Sequence, residues 1–409
     1  MISPSQACRW LNLEGGVPPV HEPPDPESCR DWIRERDRAG DAVLILGGGG
    51  QWFLGNDPER ATHILSVRRW DRILDHSPGD LTVTVEAGCP LKRLQETLSE
   101  AAQFLPFRPP NYLHATVGGA VATALAGRYG PALGGMREFL IGIEILHADG
   151  RLSHAGGRVV KNVAGYDLCK LYAGSMGTLG IITHATFKVR PLPPASRTGI
   201  LEFDRLSELL ETALSLRNEV APAALELFRS GAGFRQPGAS SERYGLAVEL
   251  RDPEGPIQWK SRVLGERCPG IRFLDGAEAD SFWMVRDREL CLALEPDNGR
   301  VVVRISAPAG LLEKVHRWLD QALPGHGLSG HAAGSTLLVL ANGIDFLRDL
   351  RSRWKGQPVY TTLFKADAPL KRSLDVWGPT TQPLPLMKRI KDRFDPGRTL
   401  NPGRFWGRI

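Results

Sequence analysis

Apolar and polar residues alternate along several short runs of the chain, a spacing that is typical of strands with one buried face. The runs at 81–86 and 141–145 show this alternation. A short apolar run at 42–46 and a run at 181–189 that is rich in β-forming residues are further predicted strands. The segment 90–98 predicts a helix, because its proline is tolerated in a first turn and the leucines that follow share one face.

The run Pro-Leu-Pro-Pro at 191–194 breaks regular structure and predicts a domain boundary. Beyond it, the pattern predicts strands at 200–203, 224–228, 245–249, 301–305, 335–340 and 359–363, and helices at 206–214, 257–266, 311–323, 345–354 and 384–394. Two successive rounds of strand, helix and strand indicate an antiparallel sheet that is covered by helices on one face.

Composition places the chain among globular proteins of two or three domains. Its 409 residues are 42% hydrophobic and 24% charged, which is ordinary for a soluble protein. The net charge of +5 is small, and basic residues alternate with acidic ones instead of forming a stripe. A nucleic-acid partner is therefore not expected.

The six cysteines are scattered, and none has the C-x-x-C spacing of a zinc or iron–sulfur site. Such scattering suits a reducing compartment. No run of about 18 apolar residues predicts a membrane-spanning helix, and the N-terminus lacks the pattern of a secretion signal. We expect a cytoplasmic protein, with peripheral contact to the inner face of the cell membrane left open.

Four glycines at 47–50 follow the apolar run at 42–46. A dinucleotide-binding G-x-G-x-x-G fingerprint would need a third glycine where Trp52 or Phe53 stands, so that fold is not predicted. Consecutive glycines can instead surround a pyrophosphate with backbone N–H groups. A flexible turn is the alternative.

Two further glycine clusters precede the proline boundary. In the segment 109–123, small residues and threonines would let a flat ring lie against the backbone, and the start of a packed helix is the alternative. In the segment 174–183, glycines recur at every third position before the run of β-forming residues. Three such loops in one domain indicate a cofactor site better than plain turns do.

The glycines at 47–50, Thr116-Val117-Gly118-Gly119, the segment 177–181 and Asn401-Pro402-Gly403-Arg404 together resemble the vanillyl-alcohol oxidase (PCMH-type) FAD-binding fold. The segment KNVAGYDL at 161–168 resembles the glycolate oxidase (glycolate dehydrogenase) complex, in particular the family of its FAD-binding E subunits. The resemblance covers residues 30–195 closely and 384–405 by motif.

The resemblance implies an α+β fold. A loosely ordered lead-in at 1–28 precedes a PCMH-type FAD-binding domain of two α/β subdomains at 29–195. A cap domain follows at 196–370, built on an antiparallel sheet with helices on one face. The segment 371–409 returns to the FAD domain.

The resemblance also implies where FAD binds. The expected contacts are Gly47, Gly48, Gly49, Gly50, Gln51, Pro110, Thr116, Gly118, Gly119, Thr123, Gly177, Gly180, Ile182 and Asn401. Some family members attach FAD to a histidine in the first loop, which has no histidine here, so we expect FAD to be non-covalent. Arg158, Lys161 and Asp167 are expected either to position substrate or flavin or to form a buried ion pair that braces their loop.

A metal motif of the related catalytic enzymes, H-x-G-D-G-N, is not reproduced. The nearest match, His326 to His331, lacks the Asp and the Asn. We expect these two histidines to be exposed in a loop, with a metal site as the alternative, and we assign no metal and no catalytic residue.

The resemblance implies an FAD-dependent oxidoreductase that works as a subunit of a glycolate (2-hydroxy-acid) dehydrogenase or oxidase complex. Glycolate would be oxidised to glyoxylate, together with a homologous catalytic flavin subunit and an iron–sulfur subunit that takes the electrons. Two alternatives stay open. One is a stand-alone FAD-dependent dehydrogenase for D-lactate or another 2-hydroxy acid, and the other is a non-catalytic assembly subunit with a vestigial flavin site.

Overall fold

A computed structural model describes residues 3–9, 11, 13, 16–158, 166–232, 234–235, 243–296, 299–332, 334, 336–372, 374–379 and 383–409. The strands are β1 Val20–His21, β2 Val43–Leu46, β3 His63–Ser66, β4 Ile73–Ser77, β5 Thr82–Glu86, β6 Gln103–Phe104, β7 Leu140–Leu146, β8 Leu152–Gly156, β9 Ile181–Lys188, β10 Arg190–Pro191, β11 Ala195–Phe203, β12 Ala224–Arg229, β13 Tyr244–Asp252, β14 Arg272–Asp275, β15 Val301–Ser306, β16 Gly327–His331, β17 Thr336–Ala341 and β18 Tyr360–Lys365. The helices are α1 Pro4–Cys8, α2 Pro26–Arg38, α3 Leu91–Glu100, α4 Val117–Thr123, α5 Gly130–Leu133, α6 Met136–Phe139, α7 Leu168–Tyr172, α8 Leu206–Val220, α9 Glu254–Arg267, α10 Gly276–Ala293, α11 Ala309–Ala322, α12 Asp345–Arg353, α13 Ala368–Arg372 and α14 Leu384–Phe394.

The chain divides into two compact units. Unit 1 comprises residues 1–126, 134–192 and 368–409, and unit 2 comprises residues 127–133 and 193–367. The break after Leu192 falls inside the proline run that predicts a boundary. The prediction differs at residues 127–133, which the sequence assigns to the first domain and which pack with unit 2.

Unit 1 holds a three-stranded parallel sheet in the order β1-β3-β2 and a five-stranded antiparallel sheet in the order β4-β5-β9-β7-β8. The predicted alternation at 81–86 and 141–145 places apolar side chains of β5 and β7 in one core, where leucines of α3 join them. The lead-in is more ordered than the sequence predicts, because β1 pairs with β3 and the Asp25 carboxylate caps α2 by accepting from Ser28 N.

Unit 2 is built on an eight-stranded antiparallel sheet in the order β14-β11-β13-β12-β16-β17-β15-β18. The two predicted rounds of strands become its two halves, which meet where β12 pairs with β16. The mixed α+β architecture with an antiparallel sheet is therefore confirmed. The sequence did not predict α10, whose Phe282 and Trp283 pack against Ile200 and Phe228 of the sheet.

None of the helices in the described ranges combines the length and the apolar character that a bilayer crossing requires.

Candidate cofactor site

A cleft in unit 1 brings the predicted glycine loops together. Its lining includes thirteen of the fourteen predicted contacts: Gly47, Gly48, Gly49, Gly50, Gln51, Thr116, Gly118, Gly119, Thr123, Gly177, Gly180, Ile182 and Asn401. Pro110 is not part of the lining. The cleft holds about 780 Å³ of empty space, open solvent at its mouth included.

The first loop leaves β2 and needs glycine for two reasons. A side chain at position 48 would place its Cβ 1.9 Å from the carbonyl oxygen of His114. The two backbones can therefore approach this closely only because residue 48 is a glycine. Gly49 has a φ of +80°, a left-handed conformation that other residues adopt at a cost. Among the described residues, no acceptor receives the N–H groups of Gly49 and Gly50. Free amides in a concave loop form an anion site.

The second loop enters α4 beside the first. The Thr116 hydroxyl accepts from Gly48 N at 3.3 Å and so joins the two loops. Gly118 N donates to the carbonyl of Ala87 at 2.7 Å, and this glycine serves the close packing of α4 on the sheet. Gly119 differs, because the nearest atom to a Cβ built there is the Thr116 hydroxyl, at 3.4 Å. The space beside Gly119 therefore belongs to the cleft.

Gln51 carries an unpartnered donor at the cleft. The Thr123 hydroxyl donates to Gln51 Oε1 at 2.5 Å and fixes the orientation of the side-chain amide. Nε2 of the same amide is buried and has no hydrogen-bond partner among the described residues. Leaving a buried donor unsatisfied costs about 1–3 kcal/mol. An acceptor atom of a bound ligand would remove that cost.

Asn401 ties the third loop to the first strand of the site. Its Oδ1 accepts from Ile45 N at 2.9 Å, and its Nδ2 donates to the carbonyl of Met176 at 2.8 Å. Gly177 lies against the same amide, so the amide leaves no room for a side chain there. Asn401 thus fixes the distance between β2 and the third loop.

Arg404 is a lining residue that the sequence analysis did not select. The buried guanidinium donates to the carbonyl oxygens of Trp52, Leu54 and Asn56, at 3.2, 2.6 and 3.0 Å. Burial lowers its pKa to about 10, and the nearby Asp57 acts in the opposite direction, so it remains a cation at neutral pH. Its position at the end of the Asn-Pro-Gly-Arg motif could have indicated a role at the site, but only Asn401 of that motif was predicted to contact FAD.

Two of the three residues expected to position substrate or flavin, Arg158 and Asp167, are not part of the described cleft lining. Arg158 is exposed and pairs with Asp75 at 3.3 Å. Asp167 is also exposed and caps α7 by accepting from Lys170 N. Neither forms the buried ion pair that was one of the two expectations, and Lys161 lies outside the described residues.

The histidines of the segment 326–331 are not exposed in a loop, and this expectation was wrong. His326 is buried, and its ring packs beside that of His316. His331 ends β16, where it pairs with the Glu226 carboxylate of the neighbouring strand β12. The glycines and the serine of this segment have little strand propensity, so the sequence did not predict β16. Pairing with β12 and β17 stabilises this strand.

Comparison with known proteins agrees with the chemistry of the cleft. Residues 18–156 match a family model for the FAD binding domain. The chain is 40% identical over 176 residues to glycolate oxidase subunit GlcE of Escherichia coli (strain K12), a match that covers 42% of this chain and half of that subunit. It is 25% identical to D-2-hydroxyglutarate dehydrogenase of Xanthomonas citri pv. viticola over 97% of both chains. Its fold matches that of p-cresol methylhydroxylase with substrate bound, with a TM-score of 0.73 at 14% identity, over 94% of this chain and 88% of that one.

The glycine-lined cleft and the matched domain define an FAD-binding protein of the PCMH type. Residues 18–156 of this chain match the FAD binding domain of this type, and the cofactor is FAD. The residues present fit that group: free amides in the first loop, an orphaned amide donor on Gln51 and a buried cation at Arg404. The expected fold family and cofactor are confirmed.

The Asn401→Ala variant is expected to bind FAD about tenfold more weakly, because the Ile45 amide and the Met176 carbonyl each lose a buried partner worth about 1 kcal/mol. Fluorescence titration of the apoprotein with FAD measures the change. The matched control is Asn342→Ala, since Asn342 is exposed in unit 2. Equal FAD affinity in both variants would show that Asn401 does not organise the site.

Proposed function

We propose that this chain is the FAD-binding subunit of a multi-subunit dehydrogenase complex that oxidises glycolate or a related 2-hydroxy acid to the 2-oxo acid. The cleft in unit 1 carries the proposal, since its lining joins three loops that are far apart in sequence. The 40% identity to a glycolate oxidase subunit supports the substrate class and the role as a subunit.

In this proposal the chain supplies a rigid, anion-binding frame for the cofactor. The free amides of Gly49 and Gly50 and the Arg404 cation would hold the diphosphate of FAD. The open face of Gly119 and the Gln51 amide would lie along the flavin. Once bound, FAD accepts the two electrons of the oxidation. FAD is proposed to be held without a covalent bond.

Electrons are proposed to leave through a partner iron–sulfur subunit. Burial raises the pKa of the thiols of Cys8, Cys89 and Cys169 to about 11, and that of Cys29 to about 12. The cysteines are also scattered along the chain without the C-x-x-C spacing of an iron–sulfur site. Hydroxy-acid oxidation also needs a positioned base, and His114 and Arg404 are the ionisable side chains of the described cleft lining. A homologous flavin subunit is the proposed source of the main catalytic base.

A second candidate function is a stand-alone dehydrogenase for a D-2-hydroxy acid. One observation favours it: the match to the D-2-hydroxyglutarate dehydrogenase runs over 97% of both chains. In that case the residues that bind and deprotonate the hydroxy acid must all come from this chain.

The purified chain is expected to hold FAD but to reduce a dye with glycolate, D-lactate or D-2-hydroxyglutarate at no more than a small fraction of the rate of the complex. A missing base and missing substrate orientation each cost about two or more orders of magnitude in rate. Steady-state assays would compare the lone chain with the chain co-expressed with a homologous flavin subunit and an iron–sulfur subunit.

Three results would decide between the candidate functions. Turnover only in the co-expressed complex, lost when Gly119→Asp removes FAD from this chain, supports the proposal. Robust turnover by the lone chain supports the stand-alone dehydrogenase. Full activity of a complex whose copy of this chain carries Gly119→Asp and no FAD would leave this chain a role in assembly alone.

A further inference from the structure

Three side chains of unit 2 form a cluster that the proposed function does not use. His316 and Asp320 lie one turn apart on α11, and His326 directly precedes β16. One ligand atom from each lies within 4.8 Å of the other two. The cluster is independent of the expected H-x-G-D-G-N motif, because two of its members lie on the preceding helix and His331 takes no part.

The His326 imidazole is oriented as metal-ligating histidines usually are. Nδ1 of His326 lies 2.8 Å from the carbonyl oxygen of Leu323, and Nδ1 of His316 lies 3.2 Å from Asp320 Oδ2. An N–H on Nδ1 of His326 satisfies the carbonyl and leaves the lone pair on Nε2. Nδ1 of His316 lies as close to the Asp320 oxygen as two ligands of one ion do. The hydrogen bond of His326 to a carbonyl is typical of histidines that bind a metal through the other nitrogen.

One ring nitrogen of His316 has no partner in the described part of the fold. The His316 side chain is only 4% exposed, and its Nε2 has no hydrogen-bond partner. A buried polar atom without a partner is costly and rare in folded proteins.

The side chain of Arg229 already lies between two of the proposed ligand atoms. The Arg229 guanidinium lies 3.0 Å from Nε2 of His326 through one nitrogen and 3.0 Å from Asp320 Oδ1 through another. It also donates to the Tyr244 hydroxyl at 2.7 Å. Asp320 is 41% exposed and gives access from solvent. A metal ion entering there would displace the N–H donors of Arg229 from His326 and Asp320, and the nitrogen that leaves Asp320 also donates to Tyr244.

We propose that His316, Asp320 and His326 bind a divalent transition-metal ion of the Zn²⁺ class. Two imidazole nitrogens and one carboxylate oxygen form a donor set that suits Zn²⁺ and leaves a fourth position for water. The ion would join α11 to the start of β16, and Arg229 would act as a built-in competitor that weakens binding.

The test is a calorimetric titration of Zn²⁺ into the full-length, FAD-loaded chain after chelator treatment, with Co²⁺ as a spectroscopic probe of the same site. We expect one Zn²⁺ per chain, and a Tm that rises with Zn²⁺. His326→Gln and His316→Gln should each weaken binding by at least about tenfold, since even outer partners of metal ligands contribute that much.

Matched variants separate this site from chance binding by other histidines. His331→Gln is the control, because His331 lies five residues from His326 and pairs with Glu226 instead. We expect it to bind Zn²⁺ as the wild type does, and Arg229→Gln to bind more tightly. Melting curves and the flavin spectrum without metal establish that each variant is folded. The proposal is overturned if the wild type takes up no Zn²⁺, or if its affinity equals that of folded His316→Gln and His326→Gln.

Discussion

The Gly119→Asp variant is expected to purify without FAD while it keeps the fold of the wild type. The protein itself has room for the side chain, since the nearest atom to the new Cβ would be the Thr116 hydroxyl, at 3.4 Å. The carboxylate would therefore enter the cleft and oppose the cofactor. Burying an unpaired charge there costs several kcal/mol, and about 3 kcal/mol corresponds to roughly a hundredfold loss of affinity.

Substitutions at two other glycines serve as comparisons for this experiment. Gly79→Asp is the matched control, because Gly79 is exposed and nothing lies within 4 Å of a Cβ there. Gly48→Ala should instead destabilise the fold, since its Cβ would lie 1.9 Å from the His114 carbonyl oxygen. Flavin absorbance and thermal unfolding distinguish the two effects. A Gly119→Asp protein that is as yellow as the Gly79→Asp control would remove Gly119 from the site.

The Lys391→Met variant is expected to lose about 3–5 kcal/mol of unfolding free energy, the usual cost of removing one partner from a buried ion pair. The Lys391 ammonium donates to Asp395 Oδ2 at 2.5 Å and to the carbonyl oxygens of Thr178 and Leu400. Both charged side chains are almost fully buried. The variant would leave Asp395 charged and partly unpaired beneath the third glycine loop.

A second lysine of the same spacing provides the control for this measurement. Lys92 pairs with Glu96 one helical turn away at 3.7 Å, and both side chains are 63% exposed. Lys92→Met is therefore expected to change stability by less than about 1 kcal/mol. Urea unfolding of the two variants gives both values. If Lys391→Met proves as mild as Lys92→Met, the buried pair does not hold α14 in unit 1.

Several elements of the fold could be predicted because their residues repeat with the period of one kind of structure. The alternation at 81–86 became β5, and the predicted helix at 384–394 is α14 with the same bounds. The helix α10 was not predicted from the sequence, because its apolar residues do not form a single stripe. Phe282 and Trp283 of this helix pack against the sheet. The sequence also missed β16, whose glycines and serine have little strand preference of their own.

The sequence by itself determined the chemistry of the cofactor loops, since three glycine clusters and the Asn-Pro-Gly-Arg motif are local features that can be read from residue type and spacing. Only the tertiary structure decided what each residue does. It divided the glycines into Gly118, which serves packing, and Gly119, which faces the cleft, and it gave Arg404 a place beside the first loop. It also buried His326 next to His316, ten residues earlier. These differences depend on which distant backbones approach each other, and residue type does not encode that approach locally.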